Sequence, residues 1–292
     1  MAPLSSDENQ PKHTNCLKKF GVIYNMKKCD FSNEHKLYLR RQTKHNVLIH
    51  LCRIALLLLF LGLWQLLTDV GALDVFFFSS PIRIVKKIGE LYASGELFYN
   101  IWVTLFETVL AFIIATVLGF IFAGLLWQSN FIRKMLEPYI VVLNSLPKIA
   151  LGPIIIIWMG IGQKAIVTMG VLVVVIVTTL NILTAFMSVD NAKIQLMRSF
   201  GANKMQIFWL LVLPASKSDI ISTLKINVGL SWIGTIMGEY MACKAGIGNL
   251  LKYGGQIFDL DLVMSATLIL CIMAALMYLL VAFIEKLVNK KN

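Results

Sequence analysis

The chain is 292 residues long, 58% hydrophobic and only 15% charged, against roughly a quarter charged in ordinary soluble domains. That balance excludes a water-soluble fold, and because a chain in lipid must satisfy its backbone internally, long apolar runs select helices. The net charge of +11 lies at the edges of apolar runs and in one tail without aromatic interleaving, so it reads as topology-setting charge and not as a nucleic-acid surface.

Residues 1–46 are basic and polar, with Lys18, Lys19, Lys27, Lys28, Arg40 and Arg41 and no apolar period from which to build a core. A disordered or membrane-surface-bound cytoplasmic tail is expected. It lacks the short apolar core and small-residue cleavage site of a signal peptide, so the first apolar run is expected to remain as an anchor. Cys16 and Cys29 lie near His13 and His35 at spacings that fit no common zinc pattern, and none of the five cysteines forms a C-x-x-C pair. Neither a metal site nor a disulfide framework is expected.

Crossing a bilayer takes about 17–25 apolar residues. Six segments qualify: 51–67, a stretch within 100–127, then 139–158, 165–185, 220–242 and 262–284. Between the first two, 79–97 predicts a short amphipathic helix capped by Ser79 or Ser80, with Pro81 at its start. The second span carries Ala111, Ala115, Gly119 and Ala123 at intervals of four, a ridge that lets another helix approach closely. Glu107 is one interval earlier on the same row and is expected to face the bundle interior.

In the third span Lys148 follows Pro147, and Gly152 and Pro153 come soon after, so the helix is expected to kink and free some carbonyls. Freed backbone at membrane depth is tolerated where it lines a cavity, which makes this either a pore-lining helix or one kinked for packing alone. An ionisable group at that depth costs about 2.5–3.5 kcal/mol on insertion scales, so a partner is sought. At 1.5 Å per residue Glu107 lies roughly 10 Å and Lys148 roughly 15 Å from one surface, which predicts that they pair, the alternative being separate solvation in a wet cavity. The fifth span carries Lys225 and, beside Gly238 near its outer end, Glu239, placed either at an outer gate or simply at the interface.

The loop 188–219 is the longest on the inner side and reads IQLMRSFGANKMQIFWLLVLPAS in its middle. Helix is predicted over 194–200, a break at Gly201, and a second helix over 204–211 that Pro214 ends. Two short helices with a glycine elbow would lie flat on the membrane. With the N-terminus inside, nineteen Lys and Arg fall on that side and six on the other, which predicts both termini in the cytoplasm. No phosphate-cradling pattern occurs, since Gly160-Ile161-Gly162 is followed by Gln163 and Lys164 at the wrong spacing, and no Ser/His/Asp set lies in the spans. The chain is not expected to be an enzyme.

Gly201, Leu213 and Pro214, with Leu211 in place of Ile, resemble the cytoplasmic-loop signature of permease subunits from binding-protein-dependent ATP-binding-cassette (ABC) importers. That signature is Glu-Ala-Ala, three residues, Gly, nine residues, Ile-x-Leu-Pro. Gln195, Leu196 and Met197 stand where it has Glu-Ala-Ala. The stretches SSPIRIV, SGELFYNIWVTL, SLPKIALGPIIIIWMGIG and GEYMACKAGIGNLL occur in the order of the branch that carries sulfonates, taurine, nitrate and related solutes. Other members of that branch import thiamine-precursor pyrimidines or riboflavin, and residues 1–46 lie outside the likeness.

The resemblance implies an all-α transmembrane bundle of about six spans over 47–292, set in the cytoplasmic membrane, without catalytic residue or cofactor. It implies coupling to separate ABC ATPase subunits through Gln195, Leu196, Met197, Arg198, Gly201, Ala202, Leu213 and Pro214. It also implies an extracytoplasmic substrate-binding protein as partner and two copies of the chain per transporter. Glu239 stands where the family also has Glu, and Glu107 where it usually has Arg. Pore-lining candidates are Glu107, Pro147, Lys148, Gly152, Pro153 and Glu239. The rival reading, an ion-gradient-driven secondary carrier, would use Glu107 or Glu239 as its proton site and would need no coupling loop.

Overall fold

The computed structural model describes residues 33–242 and 244–289, and these are helical apart from short connections. The expected tail therefore lies outside the described residues up to 32, whereas 33–46 are helical and continue into the first span as one helix, α1 (Asn33–Asp69). Cooperativity explains the difference: once the apolar segment is helical, each residue added at its N-terminus gains a backbone bond without a new nucleus.

Residues 1–62 and 63–292 form two separate units. The described part of the first is α1 up to Gly62, where Leu51, Ile54 and residues 56–60 are all exposed. Apolar side chains exposed on every face of this stretch have the pattern of a segment solvated by lipid.

In the second unit, α2 (Val75–Phe78) leads into α3 (Pro81–Ala93), where the Ser80 hydroxyl accepts the Arg83 N–H at 3.4 Å and Pro81 opens the helix as predicted. The centre is built from α4 (Glu96–Gln128), α7 (Gln163–Met187) and α11 (Lys217–Ala242), each packed on the other two. The predicted ridge of α4 is buried along its whole length, from Ala111 to Ala123. A Cβ on Gly119 would come within 2.6 Å of Thr178, one on Gly170 within 2.7 Å of the Ala111 Cβ, and one on Gly234 within 2.7 Å of the Gly170 Cα. Backbones this close gain dispersion contacts where the hydrophobic effect offers nothing between helices in lipid. A polar chain adds to them: buried Thr178 donates to buried Asn227 Oδ1 at 3.1 Å, and the Asn227 amide donates to half-buried Thr116 at 3.2 Å.

The third apolar segment is not one rod. Its halves are α5 (Asn130–Ser145) and Lys148–Met159, the latter a 3-10 turn followed by α6 (Gly152–Met159), and they meet at 87°. Leu146 and Pro147 are extended between them. A residue preceding proline is driven out of the helical region, and Pro147 has no N–H with which to continue the ladder. Among the described residues five helices are long and apolar enough to cross a membrane, or six segments if the bent pair counts as one.

After a turn, α12 (Ile247–Gln256) and α13 (Leu260–Asn289) close the unit, packing with Leu91, Leu97 and Trp232 into one apolar cluster. The start of α13 is latched to α3 by charge: Arg83 pairs with Asp261 at 2.7 Å, Lys87 with Asp259 at 2.7 Å, and Ser79 donates to Asp261 at 2.7 Å. Its hydrogen bond to Asp259 holds the Lys87 ammonium above its ordinary value, against the opposing effect of burial. Burial pushes the Asp259 carboxyl up, but hydrogen bonds from Lys87 and the Leu262 N–H, with the Lys87 and Arg83 charges, outweigh it and leave the carboxyl below its ordinary value.

A carboxyl lowered by folding stabilises above its unfolded value and loses that contribution as pH falls through its folded one. A raised ammonium stabilises below its unfolded value and loses its contribution as pH rises through its folded one. The latch is thus expected to hold across neutral pH and to open only below the ordinary carboxyl value of 3.8 or above the ordinary lysine value of 10.5. Spin labels at Lys86 and Ile257 should give one distance distribution throughout that window, and broadening already at mildly acidic pH would count against the latch.

Candidate functional site

Two regions of the second unit gather polar and conformationally special residues. The first lies at the end of the bundle where α4 begins. Asn100, Thr104, Glu107 and Thr108 extend the small-residue row of α4 toward its N-terminus, and all are buried. Asn100 Oδ1 accepts the Gly246 N–H at 2.8 Å, and Thr104 Oγ1 accepts the Ile247 N–H at 2.8 Å. Glu239 of α11 accepts the Gly248 N–H at 2.6 Å and is also reached by the Thr104 hydroxyl. Both glycines are required by this approach, because a Cβ on Gly246 or Gly248 would lie 2.6 Å from the Glu239 side chain.

Glu107 faces Glu239 within hydrogen-bonding reach, and the Gln163 side chain also reaches Glu107. Glu107 is 1% exposed and Glu239 fully buried, so the two carboxyl groups form one polar unit joining α4, α7 and α11. The expected pairing of Glu107 with Lys148 is therefore not what the structure holds. Lys148 is partly exposed on the 3-10 turn, and its Nζ bonds to the carbonyl and side-chain oxygen of Asn144, at 3.4 and 3.3 Å. Lys148 stands just past the break at Pro147, at the start of the half-segment that turns by 87° from α5. Lys225, the other intramembrane lysine, pairs with Glu285 of α13.

Of the remaining pore candidates, Pro147 and Pro153 are exposed, while Gly152 is buried where a Cβ would run into Met241 and Met169. Sequence reasoning missed Asn100, Thr104, Gln163 and the Gly246–Gly248 turn. Helical period carried a signal for the first two, since Thr104 and Asn100 stand seven and eleven residues before Ala111, about two and three turns back on the same face. A double-mutant cycle of Glu107→Gln with Glu239→Gln is expected to show a coupling of about 0.5–3 kcal/mol in thermal stability, as for residues in direct contact. Additive losses would show that the carboxyl groups do not act as a pair.

The second region is the loop between α7 and α11. Asp190 Oδ1 accepts the Ala192 N–H at 2.8 Å and caps α8 (Asn191–Ser199), which begins one turn earlier than the apolar pattern predicts. Gly201 ends it at φ +81. The Gly201 N–H bonds to Arg198 O at 2.9 Å and the Ala202 N–H to Met197 O at 3.1 Å, the paired bonds of a glycine-terminated helix. Asn203 and Gln206 then form a reciprocal capping box for α9 (Lys204–Ile207).

Pro214 does not end this second helix, as the sequence predicts. The chain widens into a π-helical turn, Phe208–Val212, and Pro214 sits in the first turn of α10 (Leu213–Ala215), where its missing N–H costs nothing. Ile194, Met197 and Ala202 face inward onto Ile182, Phe186 and Phe208, in one cluster with Ala123 and Leu126 of α4. Leu196 and Phe200, one turn apart, point away from it and are 56% and 77% exposed. Gln195, Arg198 and Pro214 are exposed as well. The element is thus rigidly seated on two spans and presents an unpartnered apolar pair outward.

Comparison with known proteins agrees with this geometry. The family of binding-protein-dependent transport system inner membrane components matches residues 115–292, more than half of the chain. SsuC of Escherichia coli (strain K12), named for aliphatic sulfonates transport, is 27% identical over 229 residues, covering 77% of this chain and 86% of its own. The taurine transport system permease protein TauC of the same strain is 23% identical over 231 residues, 77% of this chain and 84% of its own. Among solved structures, the inward-facing MetNI methionine ABC transporter superimposes with a TM-score of 0.58 at 19% identity, over 65% of this chain and 94% of the matched chain. At that identity the likeness speaks for the fold, and the α4–α7–α11 core with its capped, glycine-hinged loop is the part of the fold that the family match contains or borders. The chain belongs to the binding-protein-dependent transport system inner membrane component family.

Proposed function

We propose that the chain is the permease subunit of an ABC importer for a small solute of the sulfonate, taurine or nitrate class. Two copies form the pathway, separate ATPase subunits drive it, and an external binding protein delivers the solute. Both termini and α8–α10 lie on the cytoplasmic side, consistent with the excess of Lys and Arg there. The observation that carries this reading is the loop element itself: its inner face is locked to α4 and α7, while Leu196 and Phe200 stand exposed for a partner. Movement imposed on α8 would pass directly into the central helices. SsuC and TauC, named for the transport of aliphatic sulfonates and of taurine, support the solute class.

The test is reconstitution. The chain co-expressed with its neighbouring ATPase is expected to co-purify in mild detergent, and proteoliposomes supplied with binding protein are expected to take up labelled taurine or an alkanesulfonate only with ATP. Uptake driven by an ion gradient without ATP would overturn the reading in favour of a secondary carrier.

A further inference from the structure

A cavity of about 460 Å³ opens between the first turn of α5, the end of α7 and the α8–α9 elements. Arg133 of α5, Arg198 of α8 and Lys204 of α9 line it, together with Ser129, Asn191 and Gln195. No Asp or Glu lines it, and among the described residues no carboxylate pairs with any of the three cations. Arg133 Nε is buried without a hydrogen-bond partner, and Nη1 of the same guanidinium rests on the Met187 sulfur, a weak acceptor. Gln195, in the position where the family signature carries Glu, lines the cavity as a neutral amide and leaves the charge unbalanced.

A buried donor left unmade is costly, and guanidinium groups match tetrahedral oxyanions with paired, charge-assisted hydrogen bonds. We propose that this cavity binds a single oxyanion of the phosphate class, which bridges α5 to α8 and α9. Inorganic phosphate and the headgroup of an anionic lipid share that chemistry. Trp127 lines the same cavity, and tryptophan favours the headgroup level of a membrane. Occupancy would stiffen the joint between the bent third segment and the loop element. Only that consequence rests on the proposed transport function, since binding stands on the geometry of the cavity.

The full-length protein in phosphatidylcholine nanodiscs, with and without its ATPase, is titrated with inorganic phosphate and, in parallel, with phosphatidylglycerol at increasing mole fraction. A saturable rise in thermal midpoint is expected from at least one probe. A response to phosphate identifies a free anion, and a response to phosphatidylglycerol alone identifies a lipid. Arg133→Gln and Arg198→Gln should each weaken the responding probe about tenfold or more, as loss of hydrogen bonds to a charged group does. Arg133→Lys, which keeps the charge and loses the fork, should fall between them and wild type, and it provides a comparison in which the fold is preserved.

The proposal fails if neither probe shifts the wild-type midpoint, or if Arg133→Gln responds as fully as Lys164→Gln, a change outside the cavity. It also fails if Arg133 is protected from phenylglyoxal by the ATPase alone while neither probe binds, because the pocket then serves an acidic side chain of a partner. These measurements read binding and not uptake, so they stand or fall separately from the transport reading.

Discussion

Gly201→Val is expected to lower solute uptake and solute-stimulated ATP hydrolysis about tenfold or more, while the amount of membrane-inserted protein stays near wild type. Gly201 holds φ +81, and a Cβ built there meets no atom within 4 Å, so the effect comes from the backbone and not from a collision. A β-branched residue in the left-handed region costs roughly 1–3 kcal/mol, and each 1.4 kcal/mol is a factor of ten in the population of the intended hinge. Relief of that strain would break the bonds from Gly201 and Ala202 to Arg198 and Met197, and would turn α8 away from α9. The spans are packed elsewhere and should still insert. Gly201→Asn is the discriminating control, because asparagine tolerates the left-handed region and should retain most uptake. Wild-type uptake by the valine variant would reduce the loop to a simple connection.

Gly234→Val is expected to prevent accumulation of folded protein altogether. Its Cβ would sit 2.7 Å from the Gly170 Cα and 3.3 Å from the Val173 Cβ, and the first of these neighbours is backbone that cannot rotate away. The α7 and α11 axes would have to separate, which would also pull Ala111 from Gly170 and strain the Thr178–Asn227–Thr116 chain. Overpacking costs about 1–3 kcal/mol even where side chains can yield, and more is expected where they cannot. Gly229→Val tests the mechanism within the same helix, since a Cβ there meets nothing within 4 Å. It should accumulate normally. Equal loss in both variants would mean that valine in α11 is harmful in itself, and the close α7–α11 approach would not be the cause.

Much of the architecture was legible because it depends on neighbours in the chain. Apolar segments of bilayer length, Ser80 and Pro81 opening α3, Pro147 breaking the third segment and Gly201 hinging the loop each follow from local backbone rules. The ridge from Ala111 to Ala123 was legible through helical period, which sets which residues share a face. Local rules misled where geometry could bend around them. Pro214 was absorbed by a π-helical turn, and helix extended from the first span back through 33–46.

What only the tertiary structure decided is the pairing of charges across distant helices. Residue count gives depth in the membrane, but not the rotation of a helix about its axis or the direction a broken segment takes after its break. Glu107 and Lys148 were matched in depth, yet Glu107 meets Glu239, Lys148 turns back to Asn144, and Lys225 reaches Glu285. The same holds for Arg83 with Asp261 and Lys87 with Asp259, which lie 178 and 172 residues apart in the chain. It holds too for Arg133, Arg198 and Lys204, drawn around one cavity from three helices. Periodicity determined which side chains leave the lipid, and the close packing permitted by Gly170 and Gly234 determined which of them meet.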